Sequence, residues 1–457
     1  MNVRILLLSI AILTGAFSSG SLLTGCTSSK KAKELARQRA QKAGTQTAQS
    51  TPTRPAGSST TPSSPTSGPD WRMTSVKSRY LHKDSSTVRV YMNVIAQKGQ
   101  AFATVDDLGA RFVLNYVIYP DYNNRERLGY GSVTLSNQNV TADVPDKEDH
   151  HLTVFFDVPK PKTVVSGVML AEFVETNSGR KVLHDLPIRF RQTRLSDHFT
   201  FFDPKTGLPV LKNFATVNDT VLIRDVAGTS RPLQVLRYRH EFEAASSPMN
   251  TTPRTTPRSL NVDSTLTVTT NQPVILPAEG LYLFLADTTD ANGVGLLVGD
   301  KRFPRLTRPE KLVKPVMYMS TTQENGELNR ATDVKKALDR YWLTLMAGNQ
   351  DVARRTVRAY YNRVEEANRL FTTHKEGWKT DKGMIYIILG PPDRVQRSRD
   401  REVWVYNQRA NVSEINFTFT RRPNQFVEDH YELVRYVEYQ PIWYPVVEAW
   451  RTGAIRE

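Results

Sequence analysis

Cys26 is the only cysteine in 457 residues. A single thiol allows neither a disulfide framework nor a thiolate metal site. The fold therefore has to rest on buried apolar surface and on hydrogen bonds. The supply is adequate, with 39% apolar and 23% charged residues, an ordinary globular balance. Setting aside the first 70 residues leaves roughly 385, enough for about three domains.

The position of that cysteine carries a second message. Arg4 opens a short positive region, residues 5–17 form an apolar run, and Ser18, Ser19, Gly20 and Ser21 lead into Leu23-Thr24-Gly25-Cys26. The run is too short to span a bilayer. The arrangement resembles a bacterial lipoprotein signal. That resemblance implies a signal peptide over residues 1–25, removed on export, and a Cys26 thiol that carries acyl chains such as palmitate. The other reading is a plain secretory peptide with an incidental cysteine. No later segment has the ~18 uninterrupted apolar residues of a membrane helix, so lipid on Cys26 is the expected anchor.

Residues 26–70 read as stem and spacer. Lys30, Lys31, Lys33, Arg37, Arg39 and Lys42 are opposed only by Glu34. Beside an acylated residue each such charge is worth about 1 kcal/mol against anionic head groups. Residues 44–70 are Ser, Thr, Pro, Gly and Gln with almost no large apolar side chains, the composition of a disordered linker. As a flexible coil they would span roughly 25 to 35 Å. Surface-exposed lipoproteins of many bacteria with similar proteins carry acidic residues just after the acylated cysteine, whereas Thr27-Ser28-Ser29-Lys30-Lys31 has none. The expected location is thus the periplasmic face of the outer membrane. The net charge of +15 calls for anionic partners. Export excludes nucleic acid and leaves lipid head groups, envelope polyanions or an acidic envelope protein, although a solvated basic surface needs no partner at all.

Residues 71–195 alternate with the period of strands, at 87–94, 112–118, 151–158, 164–174 and 187–190, separated by Gly, Asn, Asp and Pro clusters. Residues 196–310 repeat the style at 220–223, 233–238, 264–269, 280–285 and 294–298. Two all-β, sandwich-like modules are expected, with a mobile Thr/Pro-rich loop over residues 246–259.

Residues 311–457 change character, and an α+β domain is expected there. Val334, Leu338, Tyr341, Trp342 and Leu345 recur at helical spacing, with Thr332 as N-cap and Gly348 as stop. Ala353, Val357, Tyr360, Tyr361, Val364, Ala367 and Phe371 mark a second helix, completing an αα-hairpin. Residues 384–389, Met-Ile-Tyr-Ile-Ile-Leu, read as a strand, followed by strands at 402–406 and 414–419 in an antiparallel sheet.

Between helix and apolar run stands Gly377-Trp378-Lys379-Thr380-Asp381, followed by Gly383, Gly390-Pro391-Pro392-Asp393 and Trp404-Val405-Tyr406. With Trp342 and residues 360–364 placed ahead of it, this series resembles the GWxTD domain of bacterial envelope proteins. The resemblance covers residues 333–406 and more loosely the chain to 450. It names a domain without naming a reaction.

The residues themselves suggest structural roles. Gly377 would end the helix in a left-handed position. Thr380 and Asp381 would bond backbone amides in a tight turn. Trp378 would lie over the hairpin with its indole N–H on a carbonyl, and Gly383 and Gly390 would take positive φ. Pro391 and Pro392 would stop the strand, and Arg363 would pair with Asp381 or Asp393. Trp404 belongs to the same structural set.

A catalytic alternative gathers His374, Glu376, Asp381 and Asp393 with Arg363 as an acid–base or weak metal site. The spacing matches no zinc pattern, and Lys375, Lys379 and Lys382 disfavour a cation. No Gly-x-Ser-x-Gly elbow or phosphate-binding loop is present. His150-His151 reads as surface, and residues 436–444 as an aromatic segment that either packs or makes contacts. Asp219-Thr220, Asp263-Ser264 and Asp287-Thr288 are similar to short O-glycosylation sequences. The expectation is a non-enzymatic binding or scaffolding lipoprotein with no cofactor and no metal. The alternatives are an envelope hydrolase using the carboxylates around Asp381 and a polysaccharide-binding protein with Trp443 and Tyr444 in an exposed row.

Overall fold

Strand alternation from Arg72 onward resolves into two antiparallel sheets in the computed structural model, which describes residues 71–142, 150–191, 193–252, 259–409 and 412–455. Cys26, the stem and the spacer lie outside the described residues. One sheet runs, in spatial order, Arg72–His82, Thr87–Lys98, Leu152–Pro159 and Val140–Ala142, and the other Gly129–Val133, Phe112–Tyr119, Ser166–Glu175 and Lys181–Arg189. Period-two burial explains the pairing. Val88, Val90, Met92 and Val94 point one way from their strand and share a core with Leu114, Ile118, Val154 and Phe173. The opposite face of the first sheet is covered as well, since Leu81 and Tyr91 pack with Phe202 and Leu222 from further along the chain.

Residues 199–299 form two more sheets around a common core of Phe201, Ile223, Leu233, Val235, Phe284 and Val298. Three strands make one sheet: Thr200–Phe202, Thr220–Arg224 and Pro273–Ile275. The other has five, in the order Phe214–Thr216, Val294–Gly299, Gly280–Leu285, Pro232–Tyr238 and Ser264–Thr269. Its first pair is parallel.

The C-terminal region is helical with one further antiparallel sheet. Helix α1 (Val334–Leu345) is capped by Asp333, whose carboxylate accepts from Lys336 N–H, and not by Thr332. Gly348 turns the chain at φ +80°, and Asn349 caps α2 (Gln350–Phe371). Trp342 meets Tyr360 edge to face at 5.6 Å across the hairpin. The expected strand over 384–389 is instead helix α3 (Asp381–Leu389). Every residue from Met384 to Leu389 is buried. A helix covered on all sides carries no polar stripe, so its period could not be read. Strands Arg394–Arg397, Arg401–Arg409, Val412–Arg421 and Tyr431–Leu433 follow, then α4 (Gln440–Arg451). Trp450, Tyr360, Phe417 and Phe419 join α3 in a single core.

The loop before Tyr431 ties the regions together. Phe426 packs among Tyr238, Leu281, Leu283 and Leu285. Its carbonyl accepts from Gly295 N–H at 2.9 Å, and a Cβ on Gly295 would lie 2.5 Å from that oxygen. Two residues on, Glu428 accepts from Arg189 at 2.5 Å and from Ser196 at 2.6 Å. Arg189 also holds buried Asp197, which accepts from Tyr80. The chain near residue 246 is held too: Ala245 N–H donates to Lys379 O at 2.9 Å and Tyr436 N–H to Pro248 O at 3.2 Å. The expected mobile loop is therefore anchored at its start, and residues 253–258 of it lie outside the described residues.

Removing one member of a largely buried charge cluster leaves its partner uncompensated. Glu428→Ala is expected to lower stability by about 2 kcal/mol, as measured by urea denaturation. An unchanged midpoint would show that the link contributes nothing.

Candidate functional site

The Gly377–Asp381 turn is assembled from the end of α2 inward. Asn368, 0% exposed, accepts from Trp378 N–H through Oδ1 at 3.0 Å and donates through Nδ2 to Pro304 O at 2.9 Å. Its own carbonyl accepts from the Thr372 hydroxyl at 2.6 Å, and that hydroxyl oxygen accepts from Gly377 N–H at 3.0 Å. Thr380 repeats the device one turn later. Its hydroxyl donates to Gly377 O at 2.7 Å and accepts from Gly383 N–H at 3.0 Å, capping α3. Tyr318 O–H closes the remaining carbonyl, that of Trp378, at 2.7 Å.

The two glycines serve close approach and not a left-handed backbone. Gly377 stands in a 3₁₀ turn, and neither it nor Gly383 has positive φ. A Cβ on Gly377 would sit 1.9 Å from Ala367 O, and one on Gly383 1.9 Å from Gly377 O. Gly390 does take φ +83°, ending α3, and its carbonyl accepts from Tyr406 O–H at 2.9 Å. Pro391 and Pro392 come directly after it and so follow the end of a helix, not of the expected strand.

The charged residues are occupied. Asp381 is held by Arg435, at 2.5 Å through Oδ1, and by Leu433 N–H, at 2.8 Å through Oδ2. The expected pairing of Arg363 with Asp381 is therefore replaced by one with a residue 54 positions later. Arg363 instead donates to Ile388 O at 3.2 Å at the α3 C-terminus and lies over the Trp450 ring at 4.9 Å. Asp393 accepts from Asn407 N–H at 2.7 Å within the sheet. Lys382 reaches Glu402 at 3.0 Å and covers the Tyr431 ring at 3.8 Å. Burial pushes the Glu402 carboxyl up, but Lys382, Arg397 and the Trp404 indole at 2.6 Å outweigh it and hold it below its ordinary value.

The catalytic grouping is dispersed among different partners. Glu376 pairs with Lys379 at 2.8 Å. His374 is buried against Phe242, His430 and Phe426, with Asn424 Nδ2 at 3.3 Å from its Nδ1. Burial, then the nearby His430, Lys375 and His240, push its pKa well below the ordinary value. Among the described residues no group of three or more His, Cys, Asp or Glu side chains is placed to hold a metal ion.

His150 stacks on Phe102 at 4.0 Å. In the aromatic segment Tyr439 and Trp443 are buried, while Tyr436, Val437 and Tyr444 are 49%, 53% and 55% exposed. Trp443 and Tyr444 therefore do not form an exposed row. Thr220, Ser264 and Thr288 are all exposed. Asn368, Thr372 and Arg435 were missed in the sequence. Asn368 alone left a signal there, an amide on the otherwise apolar face of a long helix.

Gly377→Ala and Gly383→Ala should each cost more than about 3 kcal/mol, because backbone oxygen stands where the methyl would go. Wild-type-like denaturation of either would refute the packing. A pH dependence follows from the histidines. Burial holds His82, His198 and His374 below the ordinary value and takes His184 to about 4. The unfolded chain gains protons below about pH 6.5 that the folded chain does not. Stability is therefore present in full above that pH and falls as pH drops toward the folded values. Thermal melts at about pH 7.5 and 5 test this. His374→Gln should flatten the slope by the share of one proton, and equal melting temperatures would contradict it.

Comparison with known proteins agrees with the motif. No curated protein matches the chain. Residues 280–452 match the family model described as the GWxTD domain. The match starts at Gly280, before the expected boundary at 311, and takes in the strands Gly280–Leu285 and Val294–Gly299. The chain thus carries a GWxTD domain, matched over residues 280–452.

Proposed function

We propose that the protein is a lipid-anchored envelope lipoprotein, facing the periplasm from the outer membrane, that binds or scaffolds another envelope component without catalysing a reaction. In this reading Cys26 bears the lipid, residues 26–70 are tether, and residues 71–195 and 196–310 are sandwich-like spacer modules. The GWxTD domain is the recognition element.

One observation supports the reading above the others. The chemically capable groups of the turn are engaged in its own architecture: the hydroxyl of Thr380, both carboxylate oxygens of Asp381 and the ammonium of Lys379 all meet protein partners. A hydrolase would need a carboxylate or imidazole free to meet substrate, and His374 is buried among rings. Recognition is left to the outer surface, where Tyr436, Val437 and Tyr444 expose apolar and aromatic area beside the domain core. Exposed tyrosines of this kind are favoured anchors in protein contacts.

The test is photo-crosslinking in cells from a reactive analogue placed at Tyr444, with capture from detergent-solubilised membranes. A single stoichiometric envelope protein is expected, and Tyr444→Ala with Val437→Ser should reduce its recovery about tenfold or more. Recovery of nothing above background would sink the scaffold reading. Asp381→Asn separates the hydrolase alternative: a scaffold that still folds keeps its partner, whereas an enzyme loses its chemistry.

A further inference from the structure

We infer that the outward face of the α1–α2 hairpin docks on an anionic phospholipid surface. Between Arg330 and Arg358 the chain places seven basic side chains against three acidic ones. The acids are partly spent, since Asp339 pairs with Lys335 at 2.8 Å and Asp333 caps α1. Lys336 and Arg340 on α1, and Arg354, Arg355 and Arg358 on α2, are exposed, and none forms a salt bridge among the described residues.

Helical geometry puts these charges on the solvent side of each helix. Leu338, Tyr341 and Trp342 of α1 and Ala353, Tyr360 and Val364 of α2 all enter the same core. Lys336 and Arg340 are one turn apart on the far side of α1, as are Arg354 and Arg358 on α2. Lys336 and Arg340 also border a depression of about 450 Å³ whose wall includes Leu343, Thr344 and Asp339, the last paired with Lys335. A cationic rim over a small apolar floor suits a phosphate head group with the start of its acyl chain.

Charge complementarity selects the occupant. Five exposed cations without salt-bridge partners on adjacent helices make a basic patch that attracts an anionic surface. A bilayer is the extended anion that a lipid-anchored protein is always near. This choice rests on the reading of Cys26 as the anchor, and the spacer after it is long enough to let the body return to the membrane. The stem would then hold the tether to the lipid, and the hairpin would set how the folded body lies on it.

The experiment uses the full chain reconstituted in vesicles, with Thr344→Cys carrying a fluorophore and a quencher on the lipid head groups. In phosphatidylethanolamine–phosphatidylglycerol vesicles at low salt, quenching should exceed that in phosphatidylcholine vesicles by about threefold or more. It should fade in ~0.5 M salt. Replacing Lys336, Arg340, Arg354, Arg355 and Arg358 by Gln should abolish the difference. Circular dichroism confirms that the variant is folded, and the three α2 substitutions alone serve if the larger set is not. Equal quenching in both vesicle types, or an undiminished signal from the folded variant, overturns the inference. The mass of the N-terminal peptide reports acylation of Cys26 separately, so loss of the anchor reading and loss of the hairpin contact are told apart.

Discussion

Asn368 is the point on which the C-terminal half of the molecule turns. It lies out of reach of water, and a buried amide without partners would cost several times what a satisfied one contributes. Here the side chain and carbonyl connect three stretches: α2, the segment at Pro304 and the turn, reached at Trp378 directly and at the Gly377 amide through Thr372. Because each bond satisfies a group that has no water to fall back on, the arrangement is cooperative. Displacing the turn would strand donors and acceptors on both sides.

That network in turn explains the spacing of the motif. Gly377 lets the backbone come against the Ala367 carbonyl, and Gly383 lets the first turn of α3 come against Gly377 itself. Thr380 stands three residues from each and bonds to both. Trp378 then meets Tyr318 at 6.3 Å, and α3 runs into the core with no polar face at all. Asp381 adds the sheet to this assembly, since its carboxylate receives Leu433 N–H from the strand Tyr431–Leu433 and the guanidinium of Arg435. A short sequence thus fixes helix, turn, helix and strand relative to one another.

Much of this was legible in the sequence, and what was not has physical reasons. Period-two burial from Val88 to Val94 and period-3.6 burial from Leu338 to Trp342 were readable because polar side chains interrupt the apolar ones, Arg89 and Asn93 in the strand and Asp339 and Arg340 in the helix. The run Met384–Leu389 was not, since β-branched residues buried all round look the same in a strand and in a central helix. Its helical nature was written only in its cap, Thr380 three residues before Gly383. Arg435 escaped notice for another reason: a partner 54 residues away leaves no local pattern. Phe426 and Ala245 were hidden in the same way, as single apolar residues in loops that complete cores formed elsewhere.

The internal character of the motif bears on how such a domain can be used. Residues that build a joint answer to its geometry, so they specify a fold without naming a function. Away from the joint, the surface carries two opposite chemistries. The edge around Tyr436, Val437 and Tyr444 is apolar and aromatic, whereas the outward side of the helical hairpin is strongly basic. Each surface suits a different kind of contact. Both rest on the same buried core, which Tyr439 and Trp450 enter from one side and Trp342 and Tyr360 from the helical hairpin. A protein built this way can vary what it meets by changing exposed side chains, while the turn that orients them stays the same.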